Sequence, residues 1–373
     1  MKENKKHDFE SNEEISKRVY QIISDLTHQI ENMHPPTFNT KIRGQSNVIF
    51  DEKEGLLELG DKQTRRSFLN LGQARKFMQT SLILNRCYEY LQRNKTASIR
   101  EIYYELKHAI ANTKENTFDA QEESNEVIVD VEHSVNSIRE KLNLQAEPKG
   151  ALYGNIVLKD MMHDQNEFNC SNLGRGGWSI MSRIEPEEIK IESVDADFLL
   201  VVETSAMYNR LIEERYPKKN KAILISTGGQ AARGTRRLIH RLHYEQNLPV
   251  VVFTDGDPYG WYIYSVIKRG SMALAAHSKF LCVPEAKYVG MRLKDVDTYG
   301  LKEVTEPLKE GDIKRAKEML AYPWFQSDGW QAELKSALTR KIRIEQQALA
   351  NKSLEFVAEK YLPEKIDNED FLS

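Results

Sequence analysis

Residues 251–260 read VVFTDGDPYG. Val250 to Phe253 form an apolar run with three β-branched valines, the pattern of a short strand buried on both faces. Asp255 and Asp257 follow where such a strand ends, and the single residue between them lets both carboxylates face one spot. Gly256 lets another length of backbone come close. In an open α/β sheet, ligands sit beyond the carboxyl ends of the strands. Mg2+ is typically held there by one or two carboxylates, with phosphate oxygens completing its shell. The stretch thus predicts a metal site that meets phosphate. Asp, Gly and Pro also supply ordinary turn geometry, so this motif alone leaves a plain turn open.

Working outward, strands and helices alternate. Residues 197–202 predict a strand ending in Glu203, 205–216 a helix, 222–226 a strand and 231–245 a basic helix. Residues 248–254 are the opening strand, 261–269 a helix and 279–283 a further strand. Such alternation means a parallel, doubly wound sheet, with the strand ends on one edge. Glu203, Asp255 and Asp257 then converge there, and three anions in one cleft repel one another unless a cation neutralises them. The Gly-rich run 173–178, LGRGGW, reads as a tight turn, because no Gly-Lys-Ser/Thr follows it. No Walker-type loop occurs anywhere, so ATP hydrolysis by this chain is not supported. After Gly300 the chain predicts helices over 312–322, 330–349 and 353–361, with no evident chemistry.

Upstream, Ser11 and Glu14 stand in capping-box spacing before Ile15, Val19, Ile22, Leu26, Ile30 and Met33, an amphipathic helix closed by Pro35 and Pro36. Residues 46–60 predict a hairpin. A helix over 73–93, the turn 94–96 and a second helix capped by Ser98 and Glu101 outline a helix-turn-helix, whose second helix can enter a major groove. Many helix pairs share that outline. At 100° per residue, Ile99, Ile102, Tyr103, Leu106 and Ile110 share one face. Arg100, Tyr104 and Lys107 share the opposite flank, so Tyr103 is the core tyrosine and Tyr104 the one offered to a partner. A phenol is a poor nucleophile at neutral pH. Flanking cations favour the phenolate and also hold a phosphate, although a surface tyrosine beside two basic residues is the simpler reading.

Length and composition set the frame. A chain of 373 residues holds two or three domains, and 40% apolar with 29% charged residues describes an ordinary globular protein. No apolar run reaches the roughly 20 residues needed to span a bilayer, and the first ten residues are too polar for a secretory leader, so a cytoplasmic protein with no membrane partner is expected. Cys87, Cys170 and Cys282 are far apart and read as reduced thiols. Net charge is only -3, but residues 62–107 carry ten Lys or Arg against three Glu. Residues 215–243 carry eight and no carboxylate. Two such blocks fit a polyanion-binding groove. Residues 112–132, with seven carboxylates against one Lys, read as a solvated loop, followed by a helix over 127–142. A linker falls at 146–150. The expected division is 1–70 as helix and hairpin extension, 71–148 as the unit with the helix-turn-helix, and 149–373 as the sheet unit with C-terminal helices.

In combination, SIREIYYELKH, LLVVETSAMYNRL, STGGQAARGTRRLIHRL and VVFTDGDPYGWYIY resemble the A subunits of archaeal topoisomerase VI, the DNA-cleaving half of a type IIB topoisomerase. That family is related to the meiotic double-strand-break transesterases. The resemblance runs over nearly the whole chain. It implies a winged-helix domain like that of the catabolite activator protein, followed by a Toprim domain. It places the nucleophile on Tyr104, the motif arginine on Arg100 and the Mg2+ carboxylates on Glu203, Asp255 and Asp257. Glu101 stands where many members carry Asp, a change that keeps the charge. The activity implied is Mg2+-dependent cleavage and rejoining of duplex DNA through a 5'-phosphotyrosyl bond, in a homodimer near the nucleoid. An ATPase B subunit would complete an A2B2 assembly for strand passage. Two alternatives stand beside it: a cleavage-only transesterase, and a metal-stabilised DNA-binding scaffold without chemistry.

Overall fold

The computed structural model describes residues 10–162 and 164–372; the polar stretch 1–9, expected not to be a leader, lies outside them. Two hydrophobic cores organise the chain. One gathers residues from Ile15 to Leu144, and the other residues from Leu152 to Leu362. Within the second lies a six-stranded sheet in the order Trp178–Ser179, Ala151–Tyr153, Ala222–Ser226, Phe198–Val202, Val250–Phe253, Lys287–Gly290. The last four strands are parallel, as βαβ crossovers require, and are nearly all buried. Ala151–Tyr153 pairs antiparallel with both of its neighbours, so the sheet is mixed where an all-parallel one was expected.

The outer parallel strand is Lys287–Gly290, not the run 279–283, which is partly the helical turn Ser278–Leu281. A four-residue apolar run does not distinguish strand from helix, and Pro284 ends the turn before a strand can form. The C-terminal region is also more broken than predicted. Its α-helices are Glu310–Leu320, Asp328–Arg340 and Leu362–Asp367, the last continuing a π-helical turn over Val357–Tyr361 that bears out part of the predicted 353–361. Ile342–Arg343 is a short strand and Gln346–Asn351 a 3-10 helix where 330–349 was expected to be one helix.

In the first unit, Asn12–Glu31 and Ile99–Leu106 both begin with the complete capping boxes expected of Ser11/Glu14 and Ser98/Glu101. Leu71–Arg93 is the helix between them in sequence. The hairpin pairs Val48–Asp51 with Leu56–Leu59 and packs Leu56 on Leu281 and Cys282 of the sheet unit. The acidic segment is not a solvated loop. Gln121–Ser134 is a helix that buries Val127, Ile128 and Val131. Its carboxylates, with Asp119 before it, pair with the basic block and with Arg43 ahead of it: Arg75 with Asp119 at 2.7 Å, Lys76 with Glu126 at 3.0 Å, and Arg43 with Asp130 at 3.0 Å. All three cysteines are free and buried, and burial pushes their thiols up to about 12. No helix among the described residues is long and apolar enough to cross a membrane.

The two units meet at a buried polar seam. Glu132 accepts from both terminal nitrogens of Arg233, and the backbone N–H of Arg139 also donates to it. Beside it, His133 stacks on His277 with ring centres 5.5 Å apart and planes 4° apart. His277 is 2% exposed, and burial holds its imidazole down at about 4, against a smaller upward pull from Glu132. The unfolded chain therefore takes up a proton near the ordinary value of 6.5 that the folded chain refuses until about pH 4. Stability falls as pH falls through that window. His277→Gln is expected to flatten the decline in Tm between pH 7 and 5 (roughly the upper part of that window). Parallel melting profiles for variant and parent in calorimetry would contradict this.

Candidate active site

The parallel pairing of Phe198–Val202 with Val250–Phe253 sets Val202 opposite Phe253. The residues that follow both strands therefore emerge side by side. The backbone N–H of Asp255 donates to Glu203 Oε2 at 3.0 Å. Asp257 lies past the turn as the N-cap of Pro258–Lys268, where its Oδ1 accepts from Gly260 N at 2.8 Å. The structure thus brings Glu203, Asp255 and Asp257 to one sheet edge. It does not arrange them as a closed set: among the described residues, no group of three or more His, Cys, Asp or Glu is disposed to hold a metal ion. One oxygen of each carboxylate is turned to a backbone N–H instead.

The electrostatics of the edge are those of crowded, half-hidden anions. Burial, then the neighbouring Asp255, pushes the Glu203 carboxyl up to about 8. Burial pushes Asp255 up to about 6, with Asp257 and Glu345 adding to the rise and the Gln346 N–H opposing it. Asp257 is raised as well, again chiefly by burial. Hard carboxylate oxygens whose charge is held at such cost are a donor set that fits Mg2+.

Residues that the sequence did not suggest complete this edge, all from the C-terminal segment that carries no evident chemistry in the sequence. Gln346 is fully buried; its N–H donates to Asp255 Oδ1 at 2.8 Å and its side-chain amide to Phe253 O at 3.0 Å. Arg343 Nη1 lies 3.6 Å from Asp257 Oδ2, and the same guanidinium contacts Glu306. Gly256 exchanges backbone hydrogen bonds with Ile344. A Cβ on Gly256 would come within 2.7 Å of the Ile344 side chain, so glycine is needed for this close approach.

On Ile99–Leu106, Tyr103 is 6% exposed and Tyr104 is 65% exposed, as the helical phase requires. The Tyr103 hydroxyl donates to the Asp119 carbonyl at 3.3 Å and accepts from Lys107 Nζ at 2.8 Å. Lys107 bonds to Tyr103, and its charge also acts on the neighbouring Tyr104. Ile110 lies beyond the end of the helix, so it is not part of its buried face. Arg100 is exposed and has no carboxylate partner among the described residues. No hydrogen bond or ion pair among those residues joins Tyr104 or Arg100 to the three carboxylates.

The two basic blocks shrink accordingly. Arg236, Arg237 and Arg241 of the helix Arg233–Gln246 are buried, with Arg237 on Glu185 at 2.8 Å and Arg241 on Glu245 at 2.6 Å. That helix is an internal strut, not a polyanion-binding face. Among the described residues, Lys62, Arg65, Arg93, Lys95, Arg100 and Lys107 of the first block and Arg215, Lys218 and Lys221 of the second form no ion pair; Arg93, Lys95, Arg100 and Lys107 of these flank the turn and helix that carry Tyr104.

Residues 198–366 match the family model for the Toprim domain of the topoisomerase 6 A subunit and Spo11, and residues 75–144 match the model described as "Type IIB DNA topoisomerase". A protein of Pyrococcus abyssi named as the A subunit of type 2 DNA topoisomerase 6 is 49% identical over 95% of this chain and 94% of its own length. Proteins of the same name from Hyperthermus butylicus and Haloarcula marismortui are 39% and 35% identical, over 93% and 95% of this chain and 93% and 96% of their own lengths. The chain belongs to the family of topoisomerase 6 A subunits, within the type IIB DNA topoisomerases.

Proposed function

We propose that this chain is the cleaving and rejoining subunit of its topoisomerase, and that Tyr104 is the nucleophile. The observation that carries the proposal is a helix whose packing sequesters Tyr103 and presents Tyr104 to solvent one turn from an unpaired Arg100. The Tyr104 oxygen attacks the phosphorus of a DNA phosphodiester. The phenolic proton passes to solvent, the phosphorus–O3' bond breaks, and the departing 3' oxygen takes up a proton. A 5'-phosphotyrosyl ester remains, and reversal of the same exchange reseals the strand without ATP. Arg100 holds the phosphate and balances the charge that develops on its oxygens. Glu203, Asp255 and Asp257 would hold Mg2+, which when bound supplies a Lewis acid for a phosphate oxygen.

Tyr104 and Arg100 are on a different unit from the carboxylates, and one tyrosine cuts one strand. Both facts favour a homodimer in which each Tyr104 works with its partner's acidic edge on duplex DNA. The chain has no nucleotide-binding loop, so strand passage requires an ATPase B subunit, giving A2B2. In domain terms, residues 71–148 form a winged helix. Its wing is the loop closed by the Ala109–Asn116 bridge. Residues 149–373 are the Toprim unit, whose parallel strands are doubly wound, and residues 1–70 are an extension.

The decisive experiment is a detergent quench of chain, B subunit, Mg2+ and supercoiled plasmid. A protein–DNA adduct at 5' ends, together with relaxed closed circles when ATP is present, is the expected result. Salt-dependent binding without an adduct would mark a scaffold, and breaks that never reseal would mark a cleavage-only transesterase.

Arg343 provides a separate check on the acidic edge. Its guanidinium already neutralises part of Asp257, so it competes with any added cation. Arg343→Met is expected to tighten Mn2+ binding in calorimetry by about three- to tenfold, the scale of one partly exposed ion pair. Weaker binding would show instead that Arg343 is needed to position Asp257.

A further inference from the structure

A second cavity, sharing no residue with the acidic edge or with Tyr104, opens between the hairpin and the helix Pro258–Lys268. Its volume is about 250 Å3. That is below the roughly 300–1,000 Å3 of sites for drug-sized molecules, so it suits one fused ring with a short arm. Aromatic side chains wall it: Phe50 lies 5.9 Å from Trp324, and Tyr264 stacks on Trp330 at 5.5 Å, centre to centre. Tyr264 and Trp330 are buried and back the cavity, while Phe50 and Trp324 are the half-buried rings that a planar guest can reach.

Two adjacent cations line the same cavity; neither forms an ion pair among the described residues, and Glu285 acts on both only from a longer distance. Lys268 is 9% exposed; its ammonium donates to the Ala286 carbonyl at 2.7 Å and lies 5.7 Å from the centre of the Tyr264 ring. Burial, then the neighbouring Arg269, pulls Lys268 down to about 8. Arg269 Nη1 donates to the Gly55 carbonyl at 3.0 Å, and its guanidinium faces Phe50 at 5.8 Å. No recorded hydrogen bond engages Nε or Nη2 of Arg269. Those two donors form the fork that matches a carboxylate. The one carboxylate in the lining, Glu52, is exposed and forms no ion pair with either cation. Two adjacent cations, Lys268 buried and Arg269 half-buried, with only the more distant Glu285 to offset them, favour an anion at the cavity.

We propose that this cavity binds a small aromatic carboxylate, with its ring against Phe50 and Trp324 and its carboxylate on the Arg269 fork. The site is independent of DNA cleavage. The test is calorimetry on the full chain with three probes: 2-naphthoate, the neutral 2-naphthalenemethanol, and inorganic phosphate. Naphthoate is expected to bind in the sub-millimolar range, at least about tenfold more tightly than the alcohol, as a charge-assisted fork requires. Phosphate is expected not to displace it. Arg269→Gln should weaken naphthoate about tenfold and leave the alcohol unchanged, whereas Trp324→Leu should weaken both. Melting temperatures of both variants serve to show that they are folded, and Lys268→Met, which removes a buried charge without removing bulk, gives a second reading of the anion's contribution. Equal binding of naphthoate and alcohol would overturn the anion assignment. Displacement by phosphate would overturn the aromatic one, and no saturable heat with naphthoate would overturn both.

Discussion

Tyr104→Phe is expected to abolish the covalent protein–DNA adduct, lowering cleavage by at least about 10^4-fold, while binding of duplex DNA stays within about twofold. The substitution removes one oxygen atom from a side chain that is 65% exposed and has no recorded hydrogen bond, so the fold has nothing to lose there. Tyr103→Phe should behave in the opposite way. Its hydroxyl links Lys107 to the Asp119 carbonyl, so its loss is expected to lower stability by about 1 kcal/mol and leave adduct formation largely intact. The pair of variants separates chemistry from packing on a single helix turn. Adducts that survive in Tyr104→Phe and vanish in Tyr103→Phe would reverse the assignment.

That contrast is legible in the residue order because it depends on one helix. Ile102, Tyr103 and Leu106 repeat at a spacing that forces Tyr103 inward and leaves Tyr104 outside. The pairing of Glu203 with Asp255 is legible for a similar reason: two apolar runs each end in an acid, and parallel strands put such ends together. What escapes is whatever depends on contacts between distant segments. Gln346 reaches Asp255 from 91 positions away, and neither it nor Arg343 belongs to a periodic pattern that would announce it. The acidic segment misleads for the same reason. Its charges look solvated along the sequence, yet they pair with Arg75, Lys76 and Arg43 while Val127 and Val131 fill the core beneath them. A charge count over the basic block registers the cations and misses those partners. That cancellation removes several of the block's cations and leaves Arg93, Lys95, Arg100 and Lys107, beside the helix-turn-helix, among those without an ion pair.

Glu203→Gln is expected to lower Mg2+-dependent cleavage by about 10^2- to 10^3-fold, the scale seen when one electrostatic element of a reaction site is removed. The same substitution should make the metal-free chain more stable. Folding raises the Glu203 carboxyl from 4.5 to about 8, so the folded chain prefers the proton more strongly than the unfolded chain does. Stability contributed by that proton is present below about pH 4.5 and is lost as pH rises through about 8. Gln carries no such charge, so the Tm advantage of the variant in chelator should be small at pH 5 and should grow through neutrality to a plateau above pH 8. Glu203 is partly exposed, which screens the effect without changing its sign. Saturating Mg2+ should reverse the order, because a cation bound to the folded parent stabilises it by mass action and the variant has lost a ligand. A stability gain paired with a functional loss is the signature of a residue kept for chemistry at the expense of the fold. If Glu203→Gln melts lower than the parent in chelator at pH 8, its carboxylate supports the sheet edge and the metal assignment loses its electrostatic basis.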